Sequence, residues 1–183
     1  MGIYKERIID KELSKQMKVA GAILIRGPKW FGKTTTCKQR AKSYIELQDE
    51  DIDMENSNAL KLAELKPSLL LEGEKPRLID EWQLAPNLWN TVRHSVDETG
   101  KKGQYLLTGS ATPNEKENQN LHSGAGRFAF LNMKTMSLYE SGDSNGKISL
   151  AEILNGNRKI DGITSDITYE RMDFLICRGG WPD

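Results

Sequence analysis

The chain has 183 residues, enough for one domain with a real core and rather short for two. Its 26 Lys+Arg balance 26 Asp+Glu, so no net field points to nucleic acid or to an anionic membrane. Apolar residues make up 37%, no run approaches the roughly 18 apolar residues of a membrane helix, and the N-terminal MGIYKERIID has no signal-peptide core. The two cysteines, Cys37 and Cys177, lie far apart without a CxxC partner and read as reduced thiols in a cytoplasmic protein.

In chain order, Leu13, Met17 and Ala20 fall at helical spacing and predict a leading helix over 11–20. Ala22-Ile23-Leu24-Ile25 is a continuous apolar run that stops at a glycine, as a strand buried on both faces does. Beyond that glycine, Cys37, Ala41 and Tyr44 predict a helix of about three turns opening at Lys33. Tyr44 to Leu47 reads as a second strand, followed by the acidic loop Asp49-Glu50-Asp51. A helix over 56–66 ends at Pro67, and Arg77-Leu78-Ile79-Asp80 is a strand ending in acid. Asn87 is the expected cap of a helix with Leu88, Val92 and Val96 on one face, closed by Gly100. Tyr105 to Thr108 is a further buried strand, and Phe128 to Met133 another. Between them runs SATPNEKENQNLHSGAGR, which has almost nothing to bury and is expected to be mobile without nucleotide. Ser137-x-x-Glu140 and Ser149-x-x-Glu152 fit capping boxes, and a last helix is expected near Tyr169. Strands alternating with helices predict an α/β domain with a mainly parallel sheet.

The loop Gly27-Pro28-Lys29-Trp30-Phe31-Gly32-Lys33-Thr34 has the spacing of a phosphate cradle, and it sits where one must, after a buried strand and at a helix start. Gly27 and Gly32 let backbone N–H groups approach phosphate oxygens without a side chain in the way. Lys33 supplies a charge for the β- and γ-phosphates, Thr34 a hydroxyl for Mg²⁺, and Thr35 extends the same turn. Trp30 and Phe31 either pack on neighbouring elements or line the nucleotide site, and packing is the plainer reading.

In RLIDEWQ, Asp80 is placed to hold the magnesium shell, and Glu81 to orient or deprotonate the attacking water. NTPases with a catalytic glutamate insert a strand between the loop-bearing and Asp-Glu strands, and QYLLTGS fits it. Either Thr108 first, and Ser110 second, is offered to the γ-phosphate or the water, or Thr108 is an ordinary strand-end residue. Arg127, in GAGRF, is either a surface arginine or a cation for the γ-phosphate of its own subunit or a neighbour. His94 and His122 read as solvent-facing, with nothing pairing them as metal ligands.

Taken together, GPKWFGKTTTCKQ, KPSLLLEGEKPRLIDEWQLAPNLWN, LLTGSATP, HSGAGR, MSLYESGDSNGKISL and CRGGWPD resemble the prokaryotic AAA-like ATPases that carry a C-terminal domain of unknown function. The resemblance covers almost the whole chain with its blocks in order. It implies a P-loop fold with sheet order 5-1-4-3-2, ATP as ligand, hydrolysis as activity, and the Walker roles for Lys33, Thr34, Asp80 and Glu81. It also implies an ATPase core over 1–136 and a helical segment over 137–183 leading into a C-terminal domain that this chain, ending at Asp183, does not include. The leading expectation is a Mg²⁺-dependent ATPase module that couples hydrolysis to a conformational change, with an unassigned protein partner or homo-oligomer. A non-hydrolysing nucleotide switch or scaffold is the alternative. A P-loop kinase comes third, weakened by Glu81 and by the want of an arginine-rich lid.

Overall fold

A strand buried on both faces must lie in a sheet covered on both sides, and the run from Ala22 to Ile25 imposes that requirement. Ile9–Lys134 form one compact unit, and Met1–Ile8 with Thr135–Asp183 form another. Within these, the computed structural model describes residues 4–47, 54–109, 124–156 and 162–182.

The first unit is built on β1 (Ala22–Arg26), β2 (Ser43–Glu46), β3 (Arg77–Asp80), β4 (Tyr105–Gly109) and β5 (Phe128–Asn132). They lie in the order β2-β3-β4-β1-β5 with every pairing parallel. From the opposite edge this is 5-1-4-3-2, the α/β P-loop sheet expected above. Helices α1 (Ile8–Val19), α2 (Lys33–Lys38), α3 (Met54–Leu65) and α4 (Asn87–Thr99) accompany it, with 3₁₀ turns at Pro67–Leu71 and Trp82–Leu84.

Side chains alternate across a strand, so each strand feeds two cores. Ala22, Leu24, Ile79, Tyr105, Leu107 and Phe128 pack with Leu88, Trp89, Val92 and Val96 of α4. Ile23, Ile25, Leu78, Leu106 and Leu131 pack with Leu13 of α1 and Cys37 of α2. Trp89 anchors the first core by stacking on Phe128, ring centroids 3.8 Å apart.

Three elements differ from their expected forms. α1 begins at Ile8, earlier than residue 11. α2 stops at Lys38 after six residues. Lys42 N–H is drawn to the Pro76 carbonyl (2.8 Å), which starts the β2–β3 ladder and pulls Tyr44 into a strand despite its helical spacing. Asn87 is the first helical residue of α4 and Pro86 its cap, because the turn from Trp82 runs straight into the helix. Gly100 closes α4 in the left-handed region (φ 63°), as expected. Ser110, His122 and the loop's polar stretch to 123 lie outside the described residues, as does Asp49-Glu50-Asp51.

The second unit holds α5 (Leu138–Ser141), α6 (Leu150–Leu154) and α7 (Tyr169–Arg178). Ser137 and Glu140 form the reciprocal capping box. Glu140 also accepts from Arg7 Nε (3.0 Å) and the Ile8 N–H (2.7 Å), which places four donors around one buried carboxylate. The Ser149 hydroxyl accepts from Glu152 N–H, and Thr168 caps α7 through the Arg171 N–H. Among the described residues no helix is long and apolar enough to cross a membrane.

Asp143 joins α5 to α7 by accepting from Arg171 and Arg178. The Arg171 guanidinium, and then the Ser141 hydroxyl, hold its carboxyl down at about 2. A depressed carboxylate stabilises the folded state fully above the ordinary value of about 4 and loses that contribution as pH falls toward about 2. Hydrogen-exchange protection of α7 is therefore expected to drop between pH 5 and pH 2.5. In Asp143→Asn it should already be reduced at pH 5 and change little on acidification.

Candidate nucleotide site

The loop between β1 and α2 has two glycines with different reasons. Gly32 stands at φ 85°, ψ 20°, a left-handed conformation that costs an L side chain energy, and it releases the chain into α2. Gly27 is demanded by close approach, because a Cβ there would stand 2.7 Å from the Met133 carbonyl oxygen at the end of β5. Pro28, Lys29 and Trp30 form the exposed arch of the loop, and Phe31 turns inward and is buried. Trp30 is 84% exposed at φ 69°, so of the two aromatics only Phe31 packs.

Lys33 is 4% exposed and folds back under the arch, where its Nζ donates to the Pro28 carbonyl at 3.0 Å. Burial pulls its ammonium below the ordinary lysine value, while the Glu81 and Asp80 carboxylates oppose that shift. A cation is thus held in a half-dry cradle with carboxylates close by. Thr34 is partly buried at the first turn of α2, and Thr35 points to solvent.

Strand parity supplies the acidic side. On β3, Asp80 has the parity of Leu78; on β4, Thr108 has the parity of Leu106, and both leucines face the α2 side of the sheet. One step past the Ile79–Leu107 pair, Asp80 and Thr108 come level, and Thr108 pairs with Ile25 at the end of β1. Asp80 Oδ1 accepts from Thr34 Oγ1 at 2.6 Å and from Thr108 Oγ1 at 2.5 Å. The ends of β3 and β4 and the start of α2 therefore converge on one carboxylate oxygen.

Glu81 breaks the strand. Its backbone is left-handed (φ 53°, ψ 50°), its N–H donates to Thr108 Oγ1 at 3.0 Å, and its side chain is buried. Gln83 Nε2 donates to Glu81 Oε2. Sequence reading missed Gln83, because its approach to Glu81 depends on the left-handed residue and the 3₁₀ turn after it. No strand or helix period carries that signal.

Thr108 was expected to face the γ-phosphate or the attacking water. Here it is fully buried, and its single hydroxyl donates to Asp80 and accepts from Glu81, so it positions the acidic pair. Arg127 is not brought to the site. It precedes Phe128, which pairs with Ala22 at the start of β1, so it sits at the opposite end of the sheet from the loop. The five residues of β5 separate the two ends by about 16 Å. Arg127 instead pairs with Asp97 of α4 at 2.6 Å, both half-exposed. His94 is exposed and sits 3.4 Å from Glu98.

Among the described residues no group of three or more His, Cys, Asp or Glu could hold a metal ion. Thr34 and Asp80 offer a different set, one hydroxyl and one carboxylate beside a phosphate-shaped loop. That is how the hard cation Mg²⁺ is commonly held, with the remaining ligands from phosphate and water, so the residues present fit it.

A parallel sheet in this order, with a glycine loop leading from its buried strand into α2, defines a P-loop nucleotide-binding module. Residues 20–142 match the family model described as AAA domain, and the chain belongs to that family. It is 31% identical over 144 residues to uncharacterized proteins of Mycobacterium tuberculosis and Mycobacterium bovis. Those matches take in 78% of this chain and 31% of each relative, so the chain spans about a third of their length. In fold it is similar to a Signal Transduction ATPase with Numerous Domains (STAND) protein with a tetratricopeptide repeat sensor from Pyrococcus horikoshii. The TM-score is 0.52 at 15% identity, covering all of this chain and 29% of that one.

Thr108→Val keeps the side chain's shape and removes the hydroxyl, which strands the buried Glu81 N–H. The loss should be about 1–3 kcal/mol in urea denaturation, with Thr108→Ser recovering most of it.

Proposed function

We propose that this module binds ATP with Mg²⁺ and hydrolyses it, coupling turnover to a conformational change. The observation that carries the reading is the Thr34–Asp80 contact at 2.6 Å, which joins the phosphate loop to the acidic strand end within reach of Lys33 and Glu81. Backbone N–H groups from Gly27 to Thr34, with the opening turn of α2, would cradle the phosphate oxygens. Lys33 would exchange the Pro28 carbonyl for the β- and γ-phosphates, where a buried ammonium stabilises transferring charge far better than a solvated one. Thr34 and Asp80 would hold Mg²⁺, which supplies charge neutralisation at those phosphates. Glu81 would take the proton of a water whose oxygen attacks the γ-phosphorus as the bond to the β-γ bridging oxygen breaks. Thr108, by holding Asp80 and the Glu81 backbone together, keeps metal ligand and base in one frame.

The position of Arg127 favours a second reading, a module that binds ATP as a switch and turns over only against a partner surface. The ion pair with Asp97 gives the γ-phosphate no arginine from that loop in the same subunit. A longer chain, as the length of the relatives suggests, would carry such a surface, and we place the core at 1–136 and the lead into a further domain at 137–183.

Lys33→Ala is expected to lose ATP binding by at least tenfold in titration with a fluorescent ATP analogue, and unchanged affinity in the folded variant rejects the phosphate-loop assignment. Glu81→Gln should bind ATP as the parent does and release phosphate at least a hundredfold more slowly. Parent-like turnover in that variant removes Glu81 as the base. ATP binding without turnover in the parent selects the switch.

A further inference from the structure

Gln83 is a residue whose two ends have opposite fates. Its Nε2 donates to the Glu81 carboxylate, while its Oε1 is buried with no hydrogen-bond partner among the described residues. An orphaned buried acceptor costs about 1–3 kcal/mol, a cost that Leu or Met would avoid in the same space. The end of β4 lies close against this amide: a Cβ at Gly109 would stand 3.2 Å from Gln83 Oε1 and 3.0 Å from Trp82 Nε1.

The nitrogen acts on a strained residue. A left-handed non-glycine backbone costs about 1–3 kcal/mol and persists only where its surroundings over-determine it. Glu81 is held by the Thr108 hydroxyl on its N–H, and by the Leu84 N–H on its carbonyl at 3.0 Å. Those two contacts fix the backbone and leave the side chain to rotate. Gln83 provides the third contact, and it alone of the three fixes the carboxylate.

We infer that Gln83 is the positioning residue for Glu81. By occupying Oε2, it leaves Oε1 as the oxygen that meets the attacking water, and it removes the rotamer search that a free glutamate would make at each turnover. Gln83 touches neither phosphate nor metal in this scheme and acts only through Glu81. The inference rests on the hydrolytic reading proposed above.

The test uses the full chain with Gln83→Met, which keeps length and removes the donor. The expected result is a fall in kcat of about tenfold, with KM for ATP and affinity for the fluorescent analogue within twofold of the parent. In a Glu81→Gln background the same substitution should change the residual rate no further, since the group it positions is already gone. A Gln83→Met enzyme with parental kcat overturns the inference, and so does an equal loss in both backgrounds, which would mark a merely structural role. NMR of the parent supplies a second measurement that needs no variant at position 83. The Gln83 side-chain NH₂ should be protected from exchange and lose that protection in Glu81→Ala. An unprotected amide in the folded parent overturns the inference directly. A parent without turnover counts against the hydrolytic reading and this one together, whereas a turning-over parent indifferent to Gln83→Met counts against this one alone.

Discussion

The Asp80 carboxylate, shared by the hydroxyls of Thr34 and Thr108, is the contact through which the site is assembled. It requires β4 to lie between β1 and β3, because only then does one hydroxyl stand level with Asp80 while the loop on β1 delivers the other. It also requires parallel register, since a slip of one residue would turn Thr108 or Asp80 to the opposite face of the sheet. The two cores enforce that register. Ile23, Leu78 and Leu106 can be buried toward α1 and α2 only in the phase that also presents Asp80 and Thr108 there. Packing energy spread over many apolar contacts thus aligns a few polar atoms to within a hydrogen-bond length.

Around that contact the molecule holds several groups away from their resting preferences. Lys33 keeps an ammonium in a place dry enough to lower its proton affinity, and Glu81 and Trp30 have left-handed backbones without being glycine. Two of these are held by neighbours: the Pro28 carbonyl takes the Lys33 ammonium, and the Thr108 hydroxyl takes the Glu81 N–H. These features cluster around one loop and one strand end, and buried, strained and charged groups of that kind concentrate at functional sites.

Charged groups of the second unit tie its described segments together. Glu140 gathers Arg7, the Ile8 N–H and the Ser137 box, and Asp143 gathers two arginines from the last helix. Among the described residues of this unit few apolar side chains are buried, and directional contacts of this kind hold short helices that their own length could not sustain. The pairing of Arg127 with Asp97 ties the start of β5 to α4 at the end of the sheet remote from the loop.

What the sequence determined by itself was the local chemistry. The apolar run before Gly27, the glycine spacing, Lys33-Thr34 and the acid ending β3 are contiguous patterns, and contiguous patterns report strand, turn and helix start directly. All five strands and the closure of α4 at Gly100 were legible for that reason. The tertiary structure alone decided whatever depends on a neighbour distant in sequence. Parallel pairing with β3 overrode the helical spacing of Cys37, Ala41 and Tyr44 and cut α2 short. Strand direction put Arg127 at the end of the sheet opposite the loop between β1 and α2, a placement that its position after a polar loop left open between surface and site. Thr108 became a bridge because Asp80 and the Glu81 N–H both reach its one hydroxyl, and Gln83 met Glu81 because a left-handed turn folded the chain back on itself. A sequence specifies which groups are available, but which of them share a few ångströms is set by how separate segments pack, and no local pattern contains that information.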